Sequence, residues 1–92
     1  MKLGEIIKIR RSEDNISLKE FADFLGISES MLSRIENGER RINQEYLGKV
    51  AKYLKISERE IQVYYLVDDI KTKFSSDSNF KEAIKRLINE YN

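Results

Sequence analysis

The sequence contains no cysteine and no histidine among its 92 residues. Thiolate and imidazole metal ligands, disulfide bonds and nucleophile–histidine pairs are therefore excluded, and we expect neither a metal ion nor a cofactor. No apolar run approaches the ~20 residues that a membrane span requires. The first residues also lack the apolar stretch and the cleavage site of a signal peptide. These absences predict a soluble, cytoplasmic protein without ordinary enzyme chemistry.

Proline is absent as well, and glycine occurs only four times. Lys, Glu, Arg, Leu and Ile dominate instead, and these residues either lose little rotamer freedom in a helix or pack well on its face. Apolar residues recur with helical periodicity along nearly the whole chain, and no long linker interrupts them. The composition therefore predicts an all-α protein that folds as a single compact unit.

Polar caps divide this pattern into six predicted helices. They run from Leu3 to about Arg11, from Ser17 to Gly26 and from Ser28 to Asn37, and three more open at Asn43, at Ser57 and at Asn79. Ser17 and Ser57 are each followed three residues later by a glutamate, which is the capping-box pattern of a helix start. In the last predicted helix, apolar residues from Phe80 to Tyr91 form one continuous stripe.

Residues 17 to 38 have the pattern of two short helices that cross at a steep angle. Such a pair needs a small residue where the helices touch and glycine where the chain reverses, and Ala22 and Gly26 meet these needs. Apolar side chains at fixed offsets are predicted to hold the pair together. These side chains are Phe21, Leu25, Ile27, Leu32 and Ile35.

The segment SLKEFADFLGISESMLSRIENGERRIN resembles the helix-turn-helix core of the lambda-repressor-like family, the Cro and Xre type of regulator. The likeness covers residues 3 to 66, and SRIENGER is its most typical part. It implies a five-helix bundle whose third helix enters the major groove, with an additional C-terminal helix in this chain. It also implies a homodimeric repressor or controller on a pseudo-palindromic operator in double-stranded DNA. Residues 1–66 would be the DNA-binding domain, and residues 67–92 would pack on the bundle, dimerise, or both.

The predicted third helix has a polar side that suits base recognition. Leu32 and Ile35 mark its core side, so the opposite side must face outward. Small serines allow a helix to sit deep in the groove, arginine can contact guanine O6 and N7, and glutamate can accept from cytosine or repel wrong sites. The predicted base-reading residues are Glu29, Ser30, Ser33 and Arg34. The alternative is that they form only a solvated helix face.

Residues at the helix ends are predicted to contact DNA phosphates. Ser17 and the free backbone amides behind it form an anion site that Lys19 strengthens. The complete predicted set is Ser17, Lys19, Ser28, Asn37, Arg40, Arg41 and Asn43. For Arg40 and Arg41, the alternative is a pair of solvated loop charges.

Glu36 needs a different interpretation, because a carboxylate beside DNA is unfavourable without a cation. In the family that this chain resembles, an arginine of the first helix pairs with the corresponding glutamate. Ungapped counting selects Arg11, whereas one extra residue in the loop at 12–15 selects Arg10, which we prefer. Together with Ala22 and Gly26, Arg10 and Glu36 are predicted to support the site.

The C-terminal residues carry more apolar surface than packing on one side requires. This surface can close the core of the single chain or form a two-fold interface, and we expect both. The predicted dimerisation residues are Tyr64, Tyr65 and Val67 on the fifth helix and Leu87 and Ile88 on the sixth.

Two other classes of function compete with DNA binding. The net charge is only +1, and acidic residues lie near the predicted DNA face. A protein-interaction module, such as an adaptor or an antitoxin-like protein that does not bind DNA, is therefore the alternative. An enzyme is disfavoured, because the carboxylate pairs Glu58/Glu60 and Asp68/Asp69 point apart on a helix and no phosphate loop accompanies them.

Overall fold

The computed structural model describes residues 1–91, and Asn92, the last residue of the predicted extension, lies outside them. These residues contain six α-helices and no strand. The helices are α1 (Leu3–Glu13), α2 (Leu18–Leu25), α3 (Glu29–Glu36), α4 (Leu47–Leu54), α5 (Glu58–Phe74) and α6 (Phe80–Tyr91), with a 3-10 turn (Gln44–Tyr46) before α4. The all-α prediction is confirmed. None of the described helices is both long enough and apolar enough to cross a membrane.

Serine side chains begin three of the helices, as the sequence predicts. Each Oγ accepts a hydrogen bond from the amide three residues later: Ser17 from Glu20 at 3.0 Å, Ser28 from Met31 at 3.0 Å and Ser57 from Glu60 at 3.4 Å. The return bond of the capping box does not form at Ser17. The carboxylate of Glu20 instead accepts from the Tyr53 hydroxyl and joins α2 to α4.

The core lies between α1, α2, α3, α4 and the first turn of α5. Its buried apolar side chains are Leu3, Ile7, Phe21, Ala22, Leu25, Leu32, Ile35, Ile42, Leu47, Val50, Ala51, Leu54 and Ile61. Four of the five residues predicted to hold the helix pair are among them, and Ile27 is half-buried against them. The buried area holds α2 and α3 together, since apolar burial is the main stabilising term.

Two positions fix the geometry of the helix pair. Ala22 is fully buried where α2 meets the core. Gly26 ends α2 with φ +77°, and its amide donates to the carbonyl of Ala22 at 2.9 Å. A Cβ at Gly26 would meet no other atom within 4 Å. Glycine is therefore required here by the left-handed backbone and not by crowding.

A second glycine has a role that the sequence pattern did not reveal. A Cβ at Gly4 would lie 2.0 Å from the backbone oxygen of Ile35. Such a distance is far inside van der Waals contact, so the start of α1 can lie against the end of α3 only because Gly4 has no side chain. This contact sets where the carboxyl end of α3 stands in the bundle.

The apolar packing of α5 on the bundle comes from its first half. Ile61 is its one buried residue in the described chain, and Tyr64 and Tyr65 are half-buried against the core. The carboxylate of Asp68 accepts a hydrogen bond from the amide of Leu3 at 2.8 Å and so caps α1, which has no side-chain cap of its own. The middle of α5 is thus tied to the start of the chain.

The α6 helix contributes no buried residue. Phe80 at its start stacks on Phe74 at the end of α5, with ring centroids 6.5 Å apart. The predicted apolar stripe is largely exposed, with Leu87 at 48% and Ile88 at 53% of their full accessible area. Within a single chain, therefore, α6 does not close the core.

Candidate nucleic-acid interface

The α3 helix turns an apolar side inward and a polar side to solvent. Leu32 and Ile35 are buried, whereas the predicted base-reading residues Glu29, Ser30 and Arg34 are exposed. Ser33, the fourth of them, is half-buried. Three of the four predicted base-reading residues are thus open to solvent, which a helix that enters a groove requires.

An ion pair between α1 and α3 orients this helix. Arg11 Nε donates to Glu36 Oε2 at 2.7 Å, and Arg11 Nη2 donates to Glu36 Oε1 at 3.0 Å. The remaining guanidinium nitrogen donates to the carbonyl of Ile16 at 2.7 Å, so Arg11 also fixes the loop before α2. This bidentate geometry fixes the relative orientation of the two side chains in addition to the attraction between their charges.

The choice of Arg10 as the partner of Glu36 is wrong. The loop after α1 needs no extra residue, and ungapped counting selects the right arginine, Arg11. Consecutive residues of a helix are rotated by about 100°, so Arg10 points away from α3. It lines a groove of about 260 Å³ beside Ile56 and Tyr64. The prediction that Glu36 is neutralised by an arginine of α1 is confirmed.

Glu36 is buried and Arg11 is partly buried, and this decides the energetic role of the pair. Glu36 retains only 4% of its accessible area, and it is the one buried charged residue in the described part of the chain. The hydrogen bond to Glu36 raises the pKa of Arg11 above its ordinary value. Arg11 is required because the buried Glu36 carboxylate would otherwise be a charge without compensation.

The start of α2 keeps the features of an anion site. Its first helical hydrogen bond runs from the amide of Phe21 to the carbonyl of Ser17 at 3.1 Å. The amides of Leu18 and Lys19 precede this bond and lie at the positive end of the helix. The Lys19 ammonium stands 3.4 Å from the Asp23 carboxylate, but both side chains are mostly exposed and such pairs are weak.

The loop after α3 places the other predicted phosphate contacts. Asn37 ends α3, Gly38 follows with φ +77°, and the amides of Glu39 and Arg40 return to the carbonyl of Arg34. Arg40 is exposed. Asn43 has a structural task as well, because its side-chain oxygen accepts from the amide of Glu45 at 3.4 Å and begins the 3-10 turn.

The sequence predicted Arg41 either as a phosphate contact or as a solvated loop charge, and the structure adds an ion pair to α5. Its guanidinium pairs with Asp69, donates to the carbonyl of Tyr65 at 3.3 Å and lies 4.5 Å from the centre of the Tyr65 ring. Hydrogen bonds from Arg41 and Lys73 lower the pKa of Asp69 below its ordinary value. Arg41 therefore joins the loop after α3 to α5, and its side chain keeps 37% of its accessible area.

The predicted dimerisation residues fall into two groups. Tyr64 and Tyr65 face the core, whereas Val67, Leu87 and Ile88 are exposed. The predicted dimerisation set lacks three exposed residues of α5, Val63, Leu66 and Phe74, which share the side opposite Ile61 with Val67. The spacing 63, 66, 67, 74 is helical and was the available signal. The α5 helix is thus apolar on two opposite sides.

Three known proteins resemble this chain over most of the bundle. One is an uncharacterised HTH-type transcriptional regulator of Bacillus subtilis, YvzC, 35% identical over 71 residues, which are 70% of this chain and 92% of that protein. The others are the regulators MT0491 and Rv0474 of two Mycobacterium tuberculosis strains, each 30% identical over 60 residues. That match covers 65% of this chain and only 43% of the mycobacterial proteins, so the chain spans less than half of their length.

No solved structure gives a significant match to the chain. The model of the helix-turn-helix family matches residues 6–61, which span α1 to the first turn of α5 and include the whole polar side of α3. The matched segment ends at Ile61, where the buried core also ends. The chain therefore belongs to the helix-turn-helix family of Cro/Xre-type DNA-binding transcriptional regulators, which are not enzymes.

Proposed function

We propose that this protein is a cytoplasmic, homodimeric transcription regulator of the repressor or controller type, which places α3 in the major groove of a pseudo-palindromic operator. The exposed polar side of α3 is the observation that carries this proposal. A bundle that buries Leu32 and Ile35 while leaving Arg34 accessible presents the helix as a rigid rod. Rigid presentation reduces the entropy that base contacts must offset.

Four residues on the polar side of α3 contact the bases. Arg34 makes two parallel hydrogen bonds to a guanine, and such a contact is worth about 1–3 kcal/mol of discrimination. Ser30 and Ser33 allow close approach and hydrogen-bond to neighbouring base edges. Glu29 accepts from a cytosine amino group and disfavours sites without one.

Phosphate contacts hold the helix in register from both ends. Ser17, Lys19 and the cap residue Ser28 lie at the start of α2 and α3, where backbone amides and the helix dipole attract anions. Asn37, Arg40 and Asn43 lie beyond the carboxyl end of α3. Contacts of this kind fix orientation without reading sequence.

The dimer interface is the C-terminal apolar surface, which we define as the exposed apolar residues of α5 and α6. Its members are Val63, Leu66, Val67, Phe74, Leu87, Ile88 and Tyr91. Monomeric proteins rarely expose many large apolar side chains on neighbouring helices, and a chain of this size buries only about 60% of its unfolded surface. In a dimer, the C-terminal apolar surface of each chain packs against the same surface of the other chain, as a two-fold interface requires.

A protein-interaction module is the second candidate, and the charge of the chain favours it. The net charge is +1, and Asp23, Glu29 and Glu39 lie on or near the proposed DNA side. An adaptor of this kind uses the C-terminal apolar surface to hold a different protein and does not bind duplex DNA.

Selection of bound duplexes from a random pool distinguishes the two functions. The regulator enriches a two-fold symmetric consensus, and its affinity for that duplex falls linearly with salt on a log-log plot. The adaptor enriches no sequence. The variant Arg34→Ala should lose the preference at one base pair of each half-site, whereas Arg86→Ala, a matched change on α6, should retain the full consensus. Failure of the wild-type protein to enrich any duplex would contradict the proposal.

A further inference from the structure

A cleft of about 340 Å³ opens where three parts of the bundle meet. Its walls are the start of α1, the loop after α3 and the middle of α5, with Gly38 and Tyr65 among the lining residues. The volume is at the small end of the range for ligand sites and accommodates a phosphate group with a small substituent. The cleft adjoins the carboxyl end of the recognition helix but contains none of the predicted base-reading residues.

Three cationic side chains line this cleft without a carboxylate partner. Lys2, Arg40 and Lys71 are exposed and form no ion pair within the described part of the chain. Two carboxylates, Glu5 and Asp68, also line the cleft. Asp68 accepts a hydrogen bond from the amide of Leu3 but keeps its charge, so Glu5 and Asp68 together offset two of the three cations.

The fourth cation of the cleft is already balanced. Arg41 is paired with Asp69, which also receives Lys73. This pairing holds Arg41 on the α5 wall. The uncompensated positive charge of the cleft therefore comes from Lys2, Arg40 and Lys71. The cleft as a whole therefore attracts anions.

Lys2 places one of these positive charges beside the carboxyl end of α3. Its Cδ and Nζ atoms lie 3.5 Å from the place where a Cβ of Gly38 would stand. The side chain thus covers the left-handed residue that follows α3, next to Arg40 in the same loop. A phosphate held by Lys2 and Arg40 would lie beside the carboxyl end of α3. The anion site at the start of α2 does not reach this end.

We propose that Lys2, Arg40 and Lys71 form a phosphate-binding site, in which Lys2 and Lys71 are binding residues additional to those already named. Lysine ammonium groups serve as compact point charges, and the arginine fork gives direction to a phosphate oxygen. The phosphate belongs either to the DNA backbone beside α3 or to a free phosphorylated compound. The first source rests on the proposed function, and the second does not.

The first arm of the test measures the salt dependence of affinity for the selected duplex. The double variant Lys2→Gln/Lys71→Gln removes two charges and should reduce the log-log slope by about 2, with unchanged base preference. The control Lys81→Gln/Lys85→Gln makes the same change of charge on α6. Thermal unfolding of each variant confirms that the bundle is intact.

The second arm titrates inorganic phosphate and pyrophosphate into the protein and follows backbone amide resonances. Shifts centred on Gly38 and Lys71 that the double variant abolishes indicate a free phosphate compound as the source. The proposal is overturned if the double variant leaves the slope unchanged and neither anion shifts these resonances. If the wild-type protein binds no duplex, the proposed function fails, and the titration alone decides the cleft.

Discussion

The bundle, which ends at Ile61, and the C-terminal arm, which comprises the rest of α5 and α6 (residues 62–91), use apolar residues in opposite ways. Every buried residue of the described chain lies at or before Ile61, whereas α6 has none and the outer side of α5 leaves Leu66 more than half exposed. The bundle completes its core within one chain. The arm has helical periodicity and apolar residues of the same kinds, but it has no second layer to pack against. Amphipathic pattern therefore specifies a helix without specifying its partner.

The largest expected effect lies inside the bundle, at the buried ion pair. Arg11→Ala leaves the carboxylate of Glu36 buried without a cation and should lower the free energy of unfolding by about 3–5 kcal/mol. Urea denaturation followed by circular dichroism measures this change. Arg10→Ala is the matched control and should change stability by less than about 0.5 kcal/mol. Equal losses in the two variants would refute the assignment of Arg11 as the partner.

The next effect tests the close approach of α1 to α3. Gly4→Ala places a methyl group 2.0 Å from the backbone oxygen of Ile35, and overpacking against backbone should cost about 1–3 kcal/mol or more. Gly48→Ala is the control, because its Cβ would meet only the flexible carboxylate of Glu58 at 3.2 Å. That variant should be neutral or stabilised by up to about 1 kcal/mol, since alanine favours helix. A stable Gly4→Ala protein would show that the contact is not tight.

The arm should respond in association and not in folding. Leu87→Asp/Ile88→Asp places two charges in the proposed interface and should weaken dimerisation at least tenfold, equivalent to about 1.4 kcal/mol. Sedimentation velocity measures the dimer fraction, and thermal unfolding should lose its dependence on protein concentration. Asn89→Asp adds one charge on the opposite side of α6 and should leave the dimer intact. An unchanged dimer in the double variant would place the interface elsewhere.

The smallest effect concerns the end of α4. Lys55 adopts φ +56°, a left-handed conformation that costs a residue with a side chain about 1 kcal/mol. Lys55→Gly should therefore stabilise the bundle by about 1 kcal/mol in urea denaturation. Lys52→Gly, one turn earlier within α4, should destabilise it by a similar amount. Stabilisation in both variants would mean that backbone conformation is not the cause.

Local signals in the sequence predict the parts of this fold that depend on neighbours in the chain. Ser17, Ser28 and Ser57 begin helices because each supplies an acceptor to an amide three residues later. Gly26 ends α2 because it tolerates a left-handed backbone. The exposed side of α3 follows in the same way from the positions of Leu32 and Ile35.

Contacts between distant residues leave no such signal. The pairing of Arg41 with Asp69 joins positions 28 residues apart, and the cap of α1 by Asp68 spans 65 residues. The choice between Arg10 and Arg11 depends on the length of the loop after α1. Assuming one extra residue in that loop changes the selected arginine from Arg11 to Arg10. The need for glycine at position 4 arises only once α1 and α3 are placed together.

The direct test of base reading by α3 is the affinity of Arg34→Ala for the selected duplex and for its single base-pair substitutions. The variant should lose about 1–3 kcal/mol on the selected duplex and become indifferent to substitution at one base pair of each half-site, while it keeps the wild-type preference elsewhere. Equal weakening on every duplex would contradict this prediction, because it would make Arg34 a phosphate contact and remove the reading of bases from the exposed side of α3.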